Sequence, residues 1–416
     1  MSYRARIADA ELQARLRATG AVIVEGPRAC GKTETARQAA ASEVLLDVDE
    51  TARAAVALDP SLVLAGPVPR LIDEWQLEPA IWNHVRRAVD DRQLPGQFIL
   101  TGSAIPRDDA VRHTGAGRIL RLRMRPMTLS ESGHSDGAIS LARLLAGEPV
   151  RAPDPGLTVA DLAVRVCVGG WPGLLDLPVP EALMMVRGYL EETARADLVR
   201  VDGVRRDPVR VLRVLRALAR NTATYATLTT IAADATEAGE TVIDDTVGEY
   251  LRVLERLMIV EDQPAWAPSL RSRSRLRSAA KRHFVDPSLA VAALSASPEQ
   301  LLRDVNLLGC LFESLVVRDL RVYAEVHGGR LLQYHDNTGA EADAIIETAE
   351  GGWAAFEIKL GPGRVDAAAA SLLRMVERID LKRAGKPRAL GVIVGFGYGY
   401  VRDDGVAVIP IGALSP

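Results

Sequence analysis

The chain has 416 residues, of which 48% are hydrophobic and 25% are charged, and its formal net charge is −3. A chain of this length exceeds one ordinary hydrophobic core, so two or three domains are expected. The slightly acidic balance argues against a chain-wide basic surface for nucleic acid, and any such surface must be local.

The cysteine and hydropathy patterns restrict the class of protein further. Cys30, Cys167 and Cys310 lie far apart without a Cys–His cluster, which argues against a zinc site. Sparse cysteines are typical of a reducing cytoplasm. No apolar run reaches the ~20 residues of a membrane span, and the N-terminus lacks a signal-peptide pattern. The sequence therefore predicts a cytoplasmic protein without a membrane partner.

The first 132 residues alternate between short apolar segments and helical segments. The apolar segments are 21–26, 43–49, 69–75, 97–103 and 117–124. Strands that alternate with helices are typical of a parallel sheet covered on both faces. We therefore predict an α/β domain over residues 1–132.

The first of these strands leads into the phosphate-loop pattern G-x-x-x-x-G-K-[ST], which then opens a helix. The loop consists of Gly26, Pro27, Arg28, Ala29, Cys30, Gly31, Lys32 and Thr33. Its backbone N–H groups are expected to face the phosphates of ATP. Lys32 would reach the β- and γ-phosphates, and the Thr33 hydroxyl would ligate Mg²⁺. The alternative is a glycine-rich turn with a solvent-exposed lysine.

Polar residues at the ends of later strands complete this site. Asp73 is predicted to hold Mg²⁺ through water, and Glu74 to polarise the attacking water, unless the acidic pair only caps a helix. Ser103 would sense the γ-phosphate or align the water, or it is a simple strand-end residue. Arg118 is a candidate arginine finger for a neighbouring subunit, which would require a homo-oligomer, or it is one surface arginine among several.

The middle of the chain is mainly helical. Residues 133–207 are interpreted as a helical connector or lid. Residues 208–290 contain three helix-sized segments followed by an apolar Ile259–Val260, an order typical of a winged helix, although any small helical bundle has a similar pattern.

A basic segment follows the winged-helix candidate and alternates with a period of two. If the segment is extended, its arginines lie on one face roughly 6–7 Å apart, close to the spacing of successive phosphates. The predicted nucleic-acid contacts are Arg271, Arg273, Arg275, Arg277, Lys281 and Arg282. The alternatives are a solvated loop or an acidic partner domain.

Residues 291–416 form a separate predicted α/β domain with a second polar constellation. If residues 348–352 form a five-residue hairpin loop, Glu347 faces Trp353. The same register places Asp343 opposite Glu357, and Lys359 then shares their face. Two carboxylates and a lysine could serve a Mg²⁺-dependent phosphodiesterase, with Asp343 and Glu357 as metal ligands. An ordinary surface ladder of cross-strand charges is the alternative.

Two resemblances accompany these patterns. The sequences GPRACGKT, LIDEWQ, ILTGSA and GAGRILRLRMRPMTLSE resemble the AAA-type domain of a bacterial and archaeal family of ATP-binding proteins. The resemblance extends through GGWPGLL, YLEETARADLVRVDG, KRHFVDPSLA and LGCLFESLVVRDL, and it implies ATP hydrolysis. The D-x(13)-E-x-K pattern resembles the core of restriction-endonuclease-like nucleases, with Glu313 as a further ligand or a neighbour of the ligands.

These observations predict an ATPase that acts on nucleic acid, with DNA as the partner. Metal-dependent cleavage by the C-terminal domain is one predicted activity. A regulatory or signalling ATPase, with a protein-interaction module at its C-terminus, is the alternative. A DNA-binding ATPase that does not cut is the third interpretation.

Overall fold

The computed structural model describes residues 3–104, 114–236, 241–268, 279–336 and 339–416. The chain divides into two compact units. The first unit contains Met1–Pro126, Arg195–Arg206 and Arg252–Ile259, and the second contains Met127–Ala194, Asp207–Leu251 and Val260–Pro416. The predicted connector and winged-helix segments are therefore divided between the two units. Among the described residues, no helix combines the length and apolar character needed to cross a membrane.

A parallel sheet forms the centre of the first unit. Its described strands are β1 (Ala21–Glu25), β2 (Ser42–Leu45), β3 (Arg70–Asp73), β4 (Phe98–Gly102) and β5 (Ile119–Arg123). Their order in the sheet is β2-β3-β4-β1-β5, and each neighbouring pair is parallel. The predicted α/β class with a parallel sheet is confirmed for this unit.

Helices pack against this sheet. They are α1 (Ile7–Ala18), α2 (Lys32–Arg37), α3 (Glu50–Leu58) and α4 (Ile81–Arg92). Every residue of β1 and β4 is buried, as expected for central parallel strands covered on both faces. One core cluster joins Ile23 and Leu100 of the sheet to Val85 of α4.

Strand direction determines where the candidate residues lie. Since all five strands run the same way, the phosphate loop after β1, Asp73 at the end of β3 and Ser103 after β4 come to one edge of the sheet. Arg118 precedes β5 and therefore lies at the opposite edge.

Helices make up most of the second unit before residue 326 and return between its later strands. The numbering below follows chain order, so it includes α8, which belongs to the first unit, and α11, which has residues in both units. The helices are α5 (Leu141–Leu145), α6 (Val159–Val168), α7 (Val179–Glu192), α8 (Leu198–Asp202), α9 (Pro208–Arg220), α10 (Leu228–Ala235), α11 (Asp244–Arg256), α12 (Pro287–Ala293), α13 (Pro298–Arg303), α14 (Val305–Val326), α15 (Val365–Arg378) and α16 (Leu381–Ala384).

A mixed sheet forms the C-terminal part of the second unit, beside a short parallel pair. The pair consists of β6 (Ile139–Ser140) and β13 (Leu414–Ser415). The sheet strands are β7 (Arg330–His335), β8 (Glu341–Glu347), β9 (Trp353–Lys359), β10 (Ala389–Val394), β11 (Tyr400–Val401) and β12 (Ala407–Pro410). Their order is β11-β12-β10-β9-β8-β7 within the described residues.

The strand directions in this sheet follow from the connections. A hairpin makes β8 and β9 antiparallel, whereas α15 connects β9 to β10 and makes that pair parallel. Glu347 pairs with Trp353, as the sequence predicted. The helix α14 and the sheet provide the polar cluster that is described below.

Candidate functional site

Two positions of the phosphate loop favour glycine for structural reasons. A Cβ atom added at Gly26 would lie 2.5 Å from the Met124 carbonyl oxygen, so a larger residue cannot enter there without displacing the backbone of β5's end. Gly31 has a φ of +99°, in the left-handed region that favours glycine. These two positions explain why the loop pattern requires glycine at its start and before Lys32.

Lys32 is buried and its ammonium group donates to the Pro27 carbonyl oxygen at 2.9 Å. Lysine at this position therefore lies over the loop and not in solvent, which contradicts the alternative of a solvent-exposed lysine.

Thr33 and Asp73 are adjacent although forty residues separate them in the sequence. The Thr33 hydroxyl donates to Asp73 Oδ1 at 2.8 Å, and the hydroxyl of Thr101 on β4 donates to the same oxygen. Hydroxyl and carboxylate oxygens are the donors that Mg²⁺ prefers. The residues at this edge of the sheet therefore fit a Mg²⁺–nucleotide complex bound by the loop.

Glu74 lies beside this pair and is oriented by polar neighbours. Its backbone is left-handed, with a φ of +53°, and its N–H donates to the Thr101 hydroxyl at 3.3 Å. Ser103 donates to Glu74 Oε2 at 3.1 Å, and Gln76 donates to the same oxygen. The structure thus brings Ser103 to the acidic pair, and it adds Thr101 and Gln76 as orienting residues.

Arg118 is separated from this group. Its guanidinium donates to Asp90 at 2.8 Å, and it lies at the sheet edge opposite the phosphate loop. It therefore cannot act on a nucleotide bound to the loop of its own chain, and its predicted role depends entirely on a second subunit.

Two supports of the loop were not predicted. The buried Arg6 guanidinium donates to the carbonyl oxygens of Cys30 at 2.7 Å and Arg125 at 2.8 Å. Arg28 of the loop pairs with Asp197 at 2.7 Å. Neither arginine has a sequence pattern that distinguishes it from a surface residue. Only the tertiary structure therefore reveals these contacts.

The second candidate site lies on β8 and β9. Lys359 Nζ is 3.2 Å from Asp343 Oδ2 and 2.5 Å from Glu357 Oε2. The Ile358 N–H also donates to Asp343 Oδ2, at 2.9 Å. The predicted meeting of Asp343, Glu357 and Lys359 is present in the structure, and burial of the two carboxylates contradicts the alternative of an ordinary surface ladder.

Lys281 also belongs to this cluster, which corrects its assignment to a basic surface strand. Its side chain is only 6% exposed, and Nζ lies 3.0 Å from Asp343 Oδ1 and in contact with Glu313. The ammonium also lies 5.6 Å from the centre of the Tyr225 ring. The side chain is turned away from solvent, because buried carboxylates neutralise its charge.

Of the other predicted basic contacts, only Arg282 lies in the described residues. Arg282 pairs with Asp262 and donates to the Ala226 carbonyl oxygen at 3.4 Å, so part of its charge is already neutralised. The predicted contacts Arg271, Arg273, Arg275 and Arg277 lie outside the described residues.

Burial dominates the electrostatics of the cluster. Burial and the neighbouring Asp343 raise the pKa of Glu313 and of Glu357 to about 8 each. Burial alone would raise the pKa of Asp343 as well, but the ammonium groups of Lys281 and Lys359 hold it below its usual range. Asp343 is therefore the carboxylate that carries the negative charge at neutral pH.

The cluster does not match the donor set of a metal-dependent nuclease as it is packed. Both oxygens of Asp343 already contact an ammonium group, and Glu313 and Glu357 each contact one lysine. No group of three or more acidic, histidine or cysteine side chains in the described part of the chain is arranged to hold a metal ion.

Three family models match successive parts of the chain. Residues 18–133 match a model described as "AAA domain". Residues 159–300 match "Domain of unknown function (DUF8612)", and residues 308–414 match "Domain of unknown function (DUF4143)". The last model covers most of the predicted C-terminal domain without assigning it a nuclease identity.

Two mycobacterial proteins are similar to this chain over most of its length. "Uncharacterized protein Rv2008c" of Mycobacterium tuberculosis and "Uncharacterized protein Mb2031c" of Mycobacterium bovis are each 25% identical over 365 residues, covering 86% of this chain and 74% of theirs.

Two solved structures have weak similarity. The Walker-type ATPase PABY2304 of Pyrococcus abyssi is 14% identical, with a TM-score of 0.42, over 68% of this chain and 94% of that one. A Drosophila ORC structure bound to DNA is 16% identical, with a TM-score of 0.21, over 70% and 87%. Neither score establishes a shared fold, so the sequence match and the site geometry carry the assignment: residues 18–133 form an AAA-type ATPase domain with a P-loop.

Proposed function

We propose that the chain binds ATP with Mg²⁺ and hydrolyses it at the edge of the parallel sheet. The contact between the Thr33 hydroxyl and Asp73, with Glu74 next in sequence, is the observation that carries this proposal. The proposal is supported because a hydroxyl, a carboxylate and a candidate base then lie beside the phosphate loop.

Different residues of the chain would bind the phosphates, hold the metal ion and orient the attacking water. The loop amides bind phosphate oxygens, and Lys32 exchanges its contact with the Pro27 carbonyl oxygen for the β- and γ-phosphates. Thr33 and Asp73 would hold Mg²⁺, which neutralises charge on the phosphates when it is bound. Ser103 and Gln76 orient Glu74, which accepts hydrogen bonds from both and can hold the attacking water.

The test compares two variants that separate binding from hydrolysis. Lys32→Ala should lose ATP binding and hydrolysis together, whereas Glu74→Gln should retain binding and lose hydrolysis. Lys386→Ala changes an exposed lysine and serves as the matched control. Hydrolysis by Lys32→Ala at the parental rate would refute the nucleotide site.

We also propose that ATP use serves a nucleic-acid transaction, DNA being the partner, through a restriction-endonuclease-like domain at residues 291–416. The convergence of Asp343, Glu357 and Lys359 on adjacent strands supports this proposal. So does the alternating arginine segment in the sequence. Metal-dependent cleavage, with Asp343 and Glu357 as ligands, would require the cluster to rearrange, because lysine ammonium groups contact both side chains in the present arrangement.

A plasmid assay with Mg²⁺ or Mn²⁺, with and without ATP, tests this second proposal. Cleavage by the parent protein that is lost in Asp343→Ala would support it. DNA that stays intact but stimulates ATP hydrolysis would favour a DNA-binding ATPase that does not cut. Neither cleavage nor stimulation would favour the regulatory ATPase with a protein-interaction module.

Arg118 remains a proposed finger that would act between subunits of a homo-oligomer. Its position at the far edge of the sheet supports action on a neighbour's nucleotide and not on its own, and a surface arginine paired with Asp90 is the alternative. Full ATPase activity of Arg118→Ala in a confirmed assembly would contradict this role.

A further inference from the structure

An arginine of the phosphate loop has its ion-pair partner far along the chain. The Arg28 guanidinium lies 2.7 Å from Asp197 Oδ1. Asp197 ends a five-residue π-helical turn, Thr193–Asp197, which lies between α7 and α8. Turns of this kind are rare and are frequently found at functional sites. The loop that is expected to bind phosphate thus carries a positive charge that a residue outside the loop engages.

The two partners of this ion pair differ in their exposure to solvent. The side chain of Asp197 is 9% exposed, whereas that of Arg28 is 45% exposed. Exposed side chains change rotamer within nanoseconds, while a buried carboxylate on a helical turn is held by the atoms packed around it. Arg28 is therefore the partner that moves when another anion competes for its charge.

Asp197 keeps a second cation when Arg28 leaves it. Arg200 Nη1 lies 3.5 Å from the same Oδ1 atom. Removing one partner of a buried ion pair is costly chiefly because an unpaired charge then remains in the interior. Since Arg200 stays beside the carboxylate, the departure of Arg28 costs less than the loss of an isolated buried pair.

We propose that Asp197 competes with the phosphates of ATP for the Arg28 guanidinium, and that Asp197 is thereby a positioning residue of the nucleotide site. This inference rests on the proposed binding of ATP by the loop. A guanidinium binds carboxylate and phosphate oxygens alike through paired hydrogen bonds. A triphosphate carries more negative charge than one carboxylate, so it draws Arg28 away from Asp197. Asp197 therefore lowers the affinity of the loop for ATP.

The exchange of Arg28 changes a contact of one particular segment of the chain. The segment Arg195–Arg206 belongs to the compact unit of the parallel sheet, whereas the residues directly before and after it belong to the second unit. Arg256 donates to the Val201 carbonyl oxygen at 2.9 Å and holds the later part of the segment independently of the loop. Nucleotide binding thus acts on the start of this segment, at Asp197, near the point where the chain passes from one unit to the other.

Calorimetric titration of the full chain with a non-hydrolysable ATP analogue and Mg²⁺ tests the competition. Asp197→Asn keeps the shape of the side chain and removes its charge, so it should bind the analogue about fivefold more tightly than the parent. This gain should shrink as salt is added, because salt screens charges near the surface. Glu43→Gln removes the partner of Arg37, a pair with the same 2.7 Å separation outside the loop, and should bind like the parent.

A double-mutant cycle distinguishes competition from a purely structural role of Asp197. Arg28→Ala removes the guanidinium that reaches the phosphates, so it should bind the analogue about fivefold more weakly than the parent. Adding Asp197→Asn to Arg28→Ala should have no further effect, because the charge for which Asp197 competes is then absent. A structural role would instead make Asp197→Asn weaken binding whether or not Arg28 is present.

The inference is overturned if folded Asp197→Asn binds the analogue no more tightly than the parent, or if its gain persists alongside Arg28→Ala. If Asp197→Asn does not fold, Arg28→Ala decides the matter, because it alters a side chain that is nearly half exposed. Binding by Arg28→Ala equal to that of the parent would then overturn the inference.

The same titrations separate this inference from the proposed nucleotide site. If the parent binds the analogue and Lys32→Ala does not, while Asp197→Asn matches the parent, the nucleotide site is supported and the competition is refuted. A parent protein that binds no analogue would refute both.

Discussion

Asp73 and Asp343 are both buried aspartates at strand positions of a sheet, but their neighbours differ. Hydroxyl groups of Thr33 and Thr101 surround Asp73, whereas the ammonium groups of Lys281 and Lys359 surround Asp343. Hydroxyls leave the negative charge of a carboxylate largely available to an added cation, whereas ammonium groups neutralise it. The first aspartate thus accepts hydrogen bonds from hydroxyl groups, whereas the second is already paired with cations.

The largest expected effect is the loss of folding stability when Asp343, the paired aspartate, is replaced. Asp343→Ala removes a buried carboxylate that contacts both Lys281 and Lys359, and removing one partner of a buried ion pair costs about 3–5 kcal/mol in the free energy of unfolding. Denaturant titration of the full chain measures this cost. Glu350→Ala, which removes the exposed partner of Arg388, is the control and should leave the unfolding midpoint unchanged. Equal effects of both substitutions would contradict the difference between buried and surface pairs.

The corresponding change in the first unit should affect activity and not stability. Lys32→Ala should lower the rate of ATP hydrolysis by about 10²–10³-fold, the magnitude seen when one electrostatic contact to a transition state is removed. Circular dichroism and thermal unfolding should match the parent, because within the described residues the ammonium of Lys32 donates a hydrogen bond only to a loop carbonyl oxygen. A large loss of stability would instead indicate that Lys32 maintains the fold of the loop.

The pH dependence of stability gives a sharper test of burial in the cluster. Glu313 has its pKa raised to about 8 in the folded chain, above the ordinary value of 4.5. The folded state therefore holds a proton that the unfolded state releases. The contribution of Glu313 to stability is fully present below pH 4.5 and is lost as the pH rises to about 8.

In the middle of the range between pH 4.5 and pH 8, the folded and unfolded states differ by nearly one bound proton. The free energy of unfolding should therefore fall by about 1.4 kcal/mol per pH unit there. Glu313→Gln should reduce the decline in the free energy of unfolding between pH 5 and pH 8, measured by denaturant titration at each pH. An unchanged slope in this variant would show that Glu313 is ionised throughout, paired with Lys281.

The smallest expected effect concerns the orientation of Glu74. Ser103→Ala removes the hydroxyl that donates to Glu74 Oε2, while Gln76 still donates to the same oxygen. The turnover number for ATP should fall about tenfold, and the affinity for ATP should stay close to that of the parent. Steady-state kinetics together with a binding titration distinguish these two quantities. A weakened affinity with an unchanged turnover number would place Ser103 in nucleotide binding.

Local sequence patterns were sufficient for the phosphate loop and for the carboxylate hairpin. The loop pattern ties glycines to positions where the backbone leaves little room or is left-handed, so the residues and the geometry are inseparable. In the hairpin, a period of two and a five-residue loop fix which side chains share a face. The sequence therefore predicts that Asp343, Glu357 and Lys359 lie together.

The sequence alone could not assign residues that act across long separations. Arg6 supports the loop from 24 residues away, and Lys281 enters the cluster from 62 residues away. Lys281 follows the alternating arginines and was therefore assigned to the same basic surface, but buried carboxylates in the folded chain contact this lysine. Local pattern thus determined the parallel sheet, the nucleotide loop and the carboxylate pair. Only the tertiary structure decided which charges those carboxylates meet, because a charge can be buried only where distant parts of the chain provide its partner.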